Sequence, residues 1–283
     1  MENRTYVVYG LRVSSPVWLP GLRRANGPPD VVIEYDQINS EENCGSSAKE
    51  IHLSYDGVGA IDIRDGRRIV LDTVRDIDDA ELRPYILGPA LAAILHQRGY
   101  LVLHASCVSI RDTGVGFLGA SGAGKSTIAA ACRMRGHDIL SDDITAVDIS
   151  DGHPSVVPGP PVVKLSQEVV GTLDTGGDVL WADPWNEEFY HVSGGVPESN
   201  RPLERLYLFT DGDLRTQRME PSEIVQALVG NTYTHSVLDD RTIDTHFEQC
   251  IDVATGAELN WLSRPMNLDS LSDTVKLIER EVG

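Results

Sequence analysis

Residues Gly119–Ser126 read G-A-S-G-A-G-K-S, and this short stretch limits the possible folds more than any other. The pattern G-x-x-x-x-G-K-[ST] wraps backbone around a phosphate when a strand leads into it and a helix leads out. Both flanks suit that role. Gly114–Leu118 is a short apolar run, and Ser126–Arg135 is Ala-rich and helix-favouring. Strand, glycine loop and helix start together aim free N–H groups and the helix dipole at an anion. Gly119, Ala120, Ser121, Gly122, Ala123, Gly124, Lys125, Ser126 and Thr127 are therefore the candidate nucleotide-binding residues. Lys125 is expected to reach the β- and γ-phosphates of ATP and Ser126 to hold Mg²⁺. The expected fold class is α/β.

The chain divides near residue 77. Thr5–Tyr9, Val31–Tyr35, Ile51–Tyr55, Gly59–Ile63 and Arg68–Asp72 are short, partly alternating runs that predict strands. Asp56-Gly57 and Asp65-Gly66 are hairpin signals, and Asn39–Ser47 reads as a polar loop. Residues 1–77 are thus expected to form a β-rich N-terminal region. From Asp78 to Arg98 the period becomes helical: Leu82, Ile86, Leu87, Leu91, Ile94 and Leu95 share a face, with Gly99 as the stop. Pro84 fits a first turn, and Pro89 is expected to kink or break the helix. Tyr100–Ile110 predicts one buried strand, Arg111–Thr113 a turn, and His137–Leu140 and Ile144–Ile149 two more strands. Pro154–Pro161 reads as a rigid extended segment, Gly171–Asn186 as irregular, and Leu203–Thr210 as a strand. From Pro221 the tail reads as helices over Ser222–Val229, Asp239–Asp252 and Leu268–Glu281.

Asp142 and Asp143 follow Ser126 by sixteen and seventeen residues, room for a helix, a turn and a strand. A strand parallel to the loop strand puts this pair at its carboxyl end, where open α/β sheets bind ligands. There one carboxylate can orient Mg²⁺ and the other can accept the proton of an attacking hydroxyl. The spacing leaves open which does which. Lys125, Asp142, Asp143 and His104 are the candidate catalytic residues; Ser126, Asp142 and Asp143 are the candidate metal residues. His104 precedes the loop strand and can assist proton transfer, although a lone His on an apolar strand is more often a core residue. Lys164 can contact phosphate or lie on the surface, and Arg201 or Arg205 can supply a charge-stabilising guanidinium. His191, His235 and His246 carry no motif. Transporter ATPases share the loop and a triplet like Ser193-Gly194-Gly195. Here Val196-Pro197-Glu198 follows in place of the Gln and apolar strand those proteins need.

Charge narrows the partners. The net charge is −19, and Lys49, Lys125, Lys164 and Lys276 are the only lysines. Such a surface repels nucleic acid and anionic membranes, so neither is an expected partner. Adaptation to high salt and a genome favouring Arg and Asp over Lys both account for it. No run of about eighteen apolar residues occurs, and Met1–Val8 lacks a signal-peptide core, so a cytoplasmic protein is expected. Cys44, Cys107, Cys132 and Cys250 have no zinc-like spacing and read as reduced thiols, Cys107 and Cys132 as buried ones.

The stretch Leu103–Asp143, with L-H-A-S, the glycine loop, R-G-H-D-I-L and S-D-D, resembles the HPr serine kinase/phosphorylase family. The resemblance implies a P-loop kinase core of the HPr kinase/PEP carboxykinase type over residues 78–283, with a helical C-terminal part. It implies transfer of the γ-phosphoryl group of ATP to a serine hydroxyl, with His104 accessory, and a closed homo-oligomer. The family's downstream Glu-x-Arg-Gly segment is missing, which puts the reverse, dephosphorylating reaction and HPr as substrate in doubt. Tyr9–Leu22, Pro158–Leu165 and the tail from Ala227 are similar to a divergent branch that includes lasso-peptide precursor kinases. The expected acceptor is Ser on a protein or peptide. A small-molecule kinase acting on a sugar, polyol or free serine, and a nucleotide-binding regulator with little turnover, are the alternatives.

Overall fold

The computed structural model describes residues 3–38, 49–74, 77–173, 179–182, 187–191, 196–233 and 242–283. The expected loop at Asn39–Ser47 with Cys44, the triplet Ser193-Gly194-Gly195 and His235 lie outside them; at His191 only the backbone is described.

Seven strands open the chain: β1 (Arg4–Val8), β2 (Leu11–Ser15), β3 (Arg23–Arg24), β4 (Val31–Tyr35), β5 (Glu50–Tyr55), β6 (Gly59–Arg64) and β7 (Arg68–Thr73). They form one sheet in the order β3-β1-β2-β4-β7-β6-β5. Asp65-Gly66 turns β6 into β7 with both residues at positive φ, as the Asp-Gly signal requires. Tyr9-Gly10 does the same between β1 and β2, although Tyr is an unusual residue at φ 50°.

Two short helices follow, α1 (Asp79–Tyr85) and α2 (Leu91–Gln97), separated by a π-helical turn at Ile86–Ala90. Asp78 caps α1 by accepting the Ala80 N–H at 2.8 Å. Pro84 sits in the last turn of α1, not the first. Gly88 leaves helical geometry (φ −92°, ψ −110°), as expected for the residue before Pro89. Gly99 (φ 89°) closes α2: its N–H reaches His96 O at 2.9 Å, and Tyr100 N–H reaches Leu95 O at 3.1 Å. Leu91 to Leu95 are all buried, because α2 lies between two layers. One apolar cluster joins Ile33, Ile61, Ile69, Leu91, Ile94, Val102 and Ile144, and so spans both sides of the 77/78 boundary.

The remaining elements are β8 (Leu101–Leu103), β9 (Ser106–Ile110), β10 (Thr113–Leu118), α3 (Lys125–Met134), β11 (Asp138–Ser141), β12 (Thr145–Asp148) and β13 (Ser155–Val157). After them come β14 (Val162–Ser166), α4 (Gln167–Thr172), β15 (Val179–Ala182), β16 (Glu187–His191), β17 (Arg201–Asp211) and β18 (Arg215–Arg218). The chain finishes with α5 (Pro221–Gly230), α6 (Ile243–Gly256), β19 (Glu258–Arg264) and α7 (Leu271–Glu281). A nine-stranded sheet runs β11-β9-β10-β17-β13-β12-β8, with β19 added to β17 and β18 to β19. β14, β16 and β15 form a third, small sheet.

Three expectations are corrected. The strand expected over Tyr100–Ile110 is two strands: β8 pairs with β12 and β9 with β10 and β11, so the chain breaks at His104-Ala105. The tail is not purely helical, since β19 joins the sheet parallel to β17. Part of the segment expected to be irregular is β15.

Helices cover both faces of the large sheet. Phe117, Tyr207 and Leu262 pack under α3 and α7; Cys107, Leu206 and Leu259 pack against α5 and α6. Cover on both sides accounts for the fully buried runs in β9 and β10. Gly116 is required there: a Cβ would stand 2.4 Å from Leu206 Cδ2. Cys107, Cys132 and Cys250 are free and buried, and burial raises all three thiols. Among the described residues no helix is long and apolar enough to cross a membrane.

Candidate functional site

β10 ends at Leu118 and α3 begins at Lys125, with the glycine loop between them. Gly119, Gly122 and Gly124 take φ of 148°, 79° and 86°, which side chains rarely adopt. Ala120, Ser121 and Gly122 are exposed at the loop's crest, and Thr127 is half-buried on α3. Lys125 Nζ donates to Gly119 O at 2.8 Å and Ala120 O at 3.2 Å. Burial lowers its pKa, and the charges of Asp143 and Asp142 oppose that.

β11 runs antiparallel to β9, which runs antiparallel to β10, so β11 and β10 point the same way. The chain leaves β11 at Ser141, and the carboxylates of Asp142 and Asp143 face the loop helix from there. Asp142 is buried. Its Oδ1 accepts from Ser106 Oγ at 2.5 Å, its Oδ2 from Lys164 N–H at 2.8 Å, and Ser126 also hydrogen-bonds it. Burial raises its pKa; the hydrogen bonds pull it down without cancelling that, and Asp143 raises it further.

Asp143 is different. Its backbone is left-handed (φ 65°) and its side chain is 42% exposed. Its Oδ1 lies 3.2 Å from His104 Nε2. Burial raises its pKa, but the His104 hydrogen bond and the charges of His104, Lys164 and Lys125 outweigh that and leave it lowered. Two adjacent carboxylates thus titrate in opposite directions for local reasons.

His104 reaches Asp143 because the strand breaks at that residue. Its N–H donates to Asn231 O at 2.7 Å, and its ring stands edge-on to Tyr233 at 5.8 Å. Asn231 also accepts the Gly119 N–H on Oδ1 at 3.0 Å. One residue at the end of α5 therefore ties the glycine loop to the His104 break. Arg264, ending β19, donates from Nη2 to Ala123 O at 2.9 Å and lies 5.2 Å from the Phe209 ring centre. Its Nε is buried and unpartnered among the described residues. A Cβ on Gly124 would meet Arg264 Nη2 at 2.3 Å, so Gly124 makes room for this arginine.

The structure brings Lys125, Ser126, His104, Asp142, Asp143 and Lys164 together, and leaves Arg201 and Arg205 elsewhere. The loop end of β10 pairs with β17 at Leu208, seven residues beyond Arg201, or about 23 Å at strand rise. Arg201 pairs with Asp112, and Arg205 with Glu258 and Glu281. The R-G-H segment is also occupied elsewhere: Arg135 and His137 both bind Glu279 of α7.

Ser106, Asn231 and Arg264 went unseen in the sequence. Ser106 stands in the L-H-A-S stretch and Asn231 in the tail from Ala227, but neither has a role that its sequence position announces, and Arg264 falls within a tail that reads as helical. The alternation in Glu258–Trp261 is the one local signal of this strand.

Beside the carboxylates opens a cavity of about 250 Å³, bounded by the N-terminal sheet, the kinked α1–α2 segment and the residues after α5. Among the described residues no group of three or more His, Cys, Asp or Glu is placed to hold a metal alone. A hydroxyl beside a buried carboxylate suits Mg²⁺, which takes few protein ligands and completes its shell with water and substrate phosphate. Asp142 fits that need: it is buried, its pKa is raised, and among the described residues it forms no ion pair. Buried carboxylates of this kind are normally paired or metal-bound.

No protein-family model matches the chain, and no curated protein matches it. Among solved structures it is similar to the Hpr(Ser) kinase/phosphatase from Coxiella burnetii. That likeness has 11% identity and a TM-score of 0.34, and covers 64% of this chain and 92% of that one.

Proposed function

We propose that the chain is a nucleoside-triphosphate-dependent phosphotransferase that moves the γ-phosphoryl group of ATP to a hydroxyl, of the HPr kinase type that Leu103–Asp143 resembles. The observation that carries this reading is the carboxylate pair opposite Lys125 and Ser126, with Asp142 buried against Ser106 and the Lys164 N–H and Asp143 half-exposed beside His104. The glycine loop and Lys125 bind the phosphates, and Thr127 lies at the start of the same helix. Ser126 and Asp142 hold Mg²⁺, which neutralises phosphate charge when bound. Asp143 is ionised at neutral pH and half-exposed to the cavity, so it is placed to take the acceptor's proton. His104 orients Asp143 and strengthens its anionic form.

In the transfer, the acceptor oxygen bonds to the γ-phosphorus as its proton passes to Asp143. The bond from the γ-phosphorus to the β–γ bridging oxygen breaks, and ADP leaves with that electron pair. Positioning and charge neutralisation supply most of the acceleration in such reactions. Asn231 and Arg264 brace the loop through Gly119 N–H and Ala123 O, so the phosphate cradle is held from two further elements.

Lys125→Ala tests the cradle. Nucleotide affinity, measured calorimetrically, is expected to fall by about a hundredfold, the scale of a lost charge-assisted contact. Undiminished affinity contradicts the assignment.

A further inference from the structure

Apart from Asp142, Asp143 and Lys164, the cavity next to the carboxylates is built from parts of the chain the phosphate chemistry does not use. Tyr9 comes from the β1–β2 turn, Tyr55 from the end of β5, Tyr85 and Leu87 from the kinked helix, Tyr233 from beyond α5, and Val162 from β14. The walls are mostly apolar, and Asp142, Asp143 and Lys164 supply the charged groups. Among the described residues no arginine lines it.

The tyrosine walls are fixed. Tyr9 donates its hydroxyl to Ile144 O at 3.0 Å and packs against Gly159, where a Cβ would stand 2.9 Å from the Tyr9 ring. Tyr55 and Tyr85 rings lie 4.4 Å apart. Tyr233 is held by its N–H to Val102 O at 2.9 Å and by its ring against His104. Burial raises the phenols of Tyr9, Tyr55 and Tyr233, so they remain neutral.

This arrangement selects by chemistry. A polyol or sugar would bring several hydroxyls against mostly apolar walls, where the tyrosine hydroxyls and the charged groups are the partners, and each hydroxyl left unpaired is costly. An anionic body would meet two carboxylates and a single lysine. An alcohol on an apolar body would cover the rings and direct its one hydroxyl to Asp143. The volume, about 250 Å³, lies just below the common range for small-molecule sites, about 300–1,000 Å³, so the occupant is compact.

We infer that this cavity is the acceptor subsite, and that it takes a hydroxyl carried on a compact, uncharged, apolar or aromatic body. The inference rests on the phosphotransferase reading above. Such a hydroxyl can come from a free alcohol or from a serine next to an aromatic residue in a peptide; the bond made and the bond broken are those already described.

The test uses the whole protein, with binding and transfer read separately. Binding of phenethyl alcohol and of glycerol is followed by ligand-observed NMR in wild type and in Leu87→Trp, which fills the cavity. An unchanged melting temperature shows that the variant is folded. Phenethyl alcohol is expected to bind wild type, and at least about tenfold more weakly to Leu87→Trp. Glycerol is expected to bind neither. Glycerol binding as well as phenethyl alcohol, or equal phenethyl alcohol binding by the two proteins, overturns the inference whether or not the protein is a kinase. If Leu87→Trp does not fold, Leu87→Ala replaces it and must bind a bulkier aryl alcohol than wild type does; an unchanged size preference overturns the inference.

Transfer is then read with γ-labelled ATP, phenethyl alcohol, acetyl-Phe-Ser-amide and acetyl-Gly-Ser-amide. Label on the alcohol or on the Phe-Ser peptide, above the Gly-Ser peptide, supports the inference and identifies the source. Equal label on the two peptides overturns it and leaves the phosphotransferase reading standing. Apolar binding with no transfer to any acceptor overturns that reading and, with it, the acceptor role.

Discussion

The two aspartates differ because their surroundings differ by one residue of backbone. Asp142 turns inward to Ser106, Ser126 and the Lys164 N–H; Asp143, in a left-handed conformation, turns outward to His104. The order Asp-Asp was legible in the sequence, but not which carboxylate would be buried, since that depends on a strand break nothing in Tyr100–Ile110 announces. The raised pKa of Asp142 has a testable sign. A carboxyl whose folded pKa exceeds its unfolded value supports the fold at low pH, and that support is lost as pH rises through the folded pKa. Without metal, Asp142→Asn is therefore expected to raise Tm relative to wild type more at pH 7 than at pH 4. The same variant is expected to abolish any gain in Tm from Mg²⁺ with ATP. Equal Tm differences at both pH values, or an intact Mg²⁺-ATP shift, contradict the role given to Asp142.

At the level of elements, local signals found β4 without error and β1, β5, β6, β7 and β17 to within two residues at each end, because each is short and bounded by turn residues. They failed where tertiary pairing decides. β2 and β3 carry weak alternation; β2 is a strand because β1 and β4 flank it, and β3 because it pairs with β1 at the sheet edge. β19 lies between two helical stretches and is a strand because β17 offers it a parallel edge. The contact between α3 and α7 shows the same dependence. Arg135 and His137, just after α3, clamp Glu279 of α7 at 2.7–2.8 Å. The Arg135 hydrogen bond, opposed by burial and helped by the His137 hydrogen bond, lowers the Glu279 pKa to about 2. Stability from this clamp is present above the unfolded carboxyl range and is lost as pH falls from there toward about 2. Glu279→Gln is expected to lower stability to urea at pH 7, with the difference from wild type vanishing near pH 2. A difference independent of pH contradicts an ionic clamp.

Across the whole molecule, the N-terminal sheet and the glycine-loop sheet share buried clusters through α1 and α2, and their meeting makes the cavity above Asp143. The glycine loop, its flanking strand and helix, and the Asp pair were legible because their geometry is local or nearly so. The cavity was not, because its tyrosines come from positions 9, 55, 85 and 233 and only tertiary packing brings them together. Acidic side chains outnumber basic ones 43 to 24, and two of the four lysines, Lys125 and Lys164, stand with Arg264 around the loop and its carboxylates. The most direct test of the phosphotransferase reading compares wild type with Asp143→Asn. Both are supplied with Mg²⁺, γ-labelled ATP and hydroxyl acceptors, at low and at high salt. Label is expected on an acceptor with wild type, and a loss of at least about a hundredfold in rate is expected for Asp143→Asn with ATP affinity retained. ATP binding by wild type with no label on any hydroxyl, or equal transfer by Asp143→Asn, would contradict it.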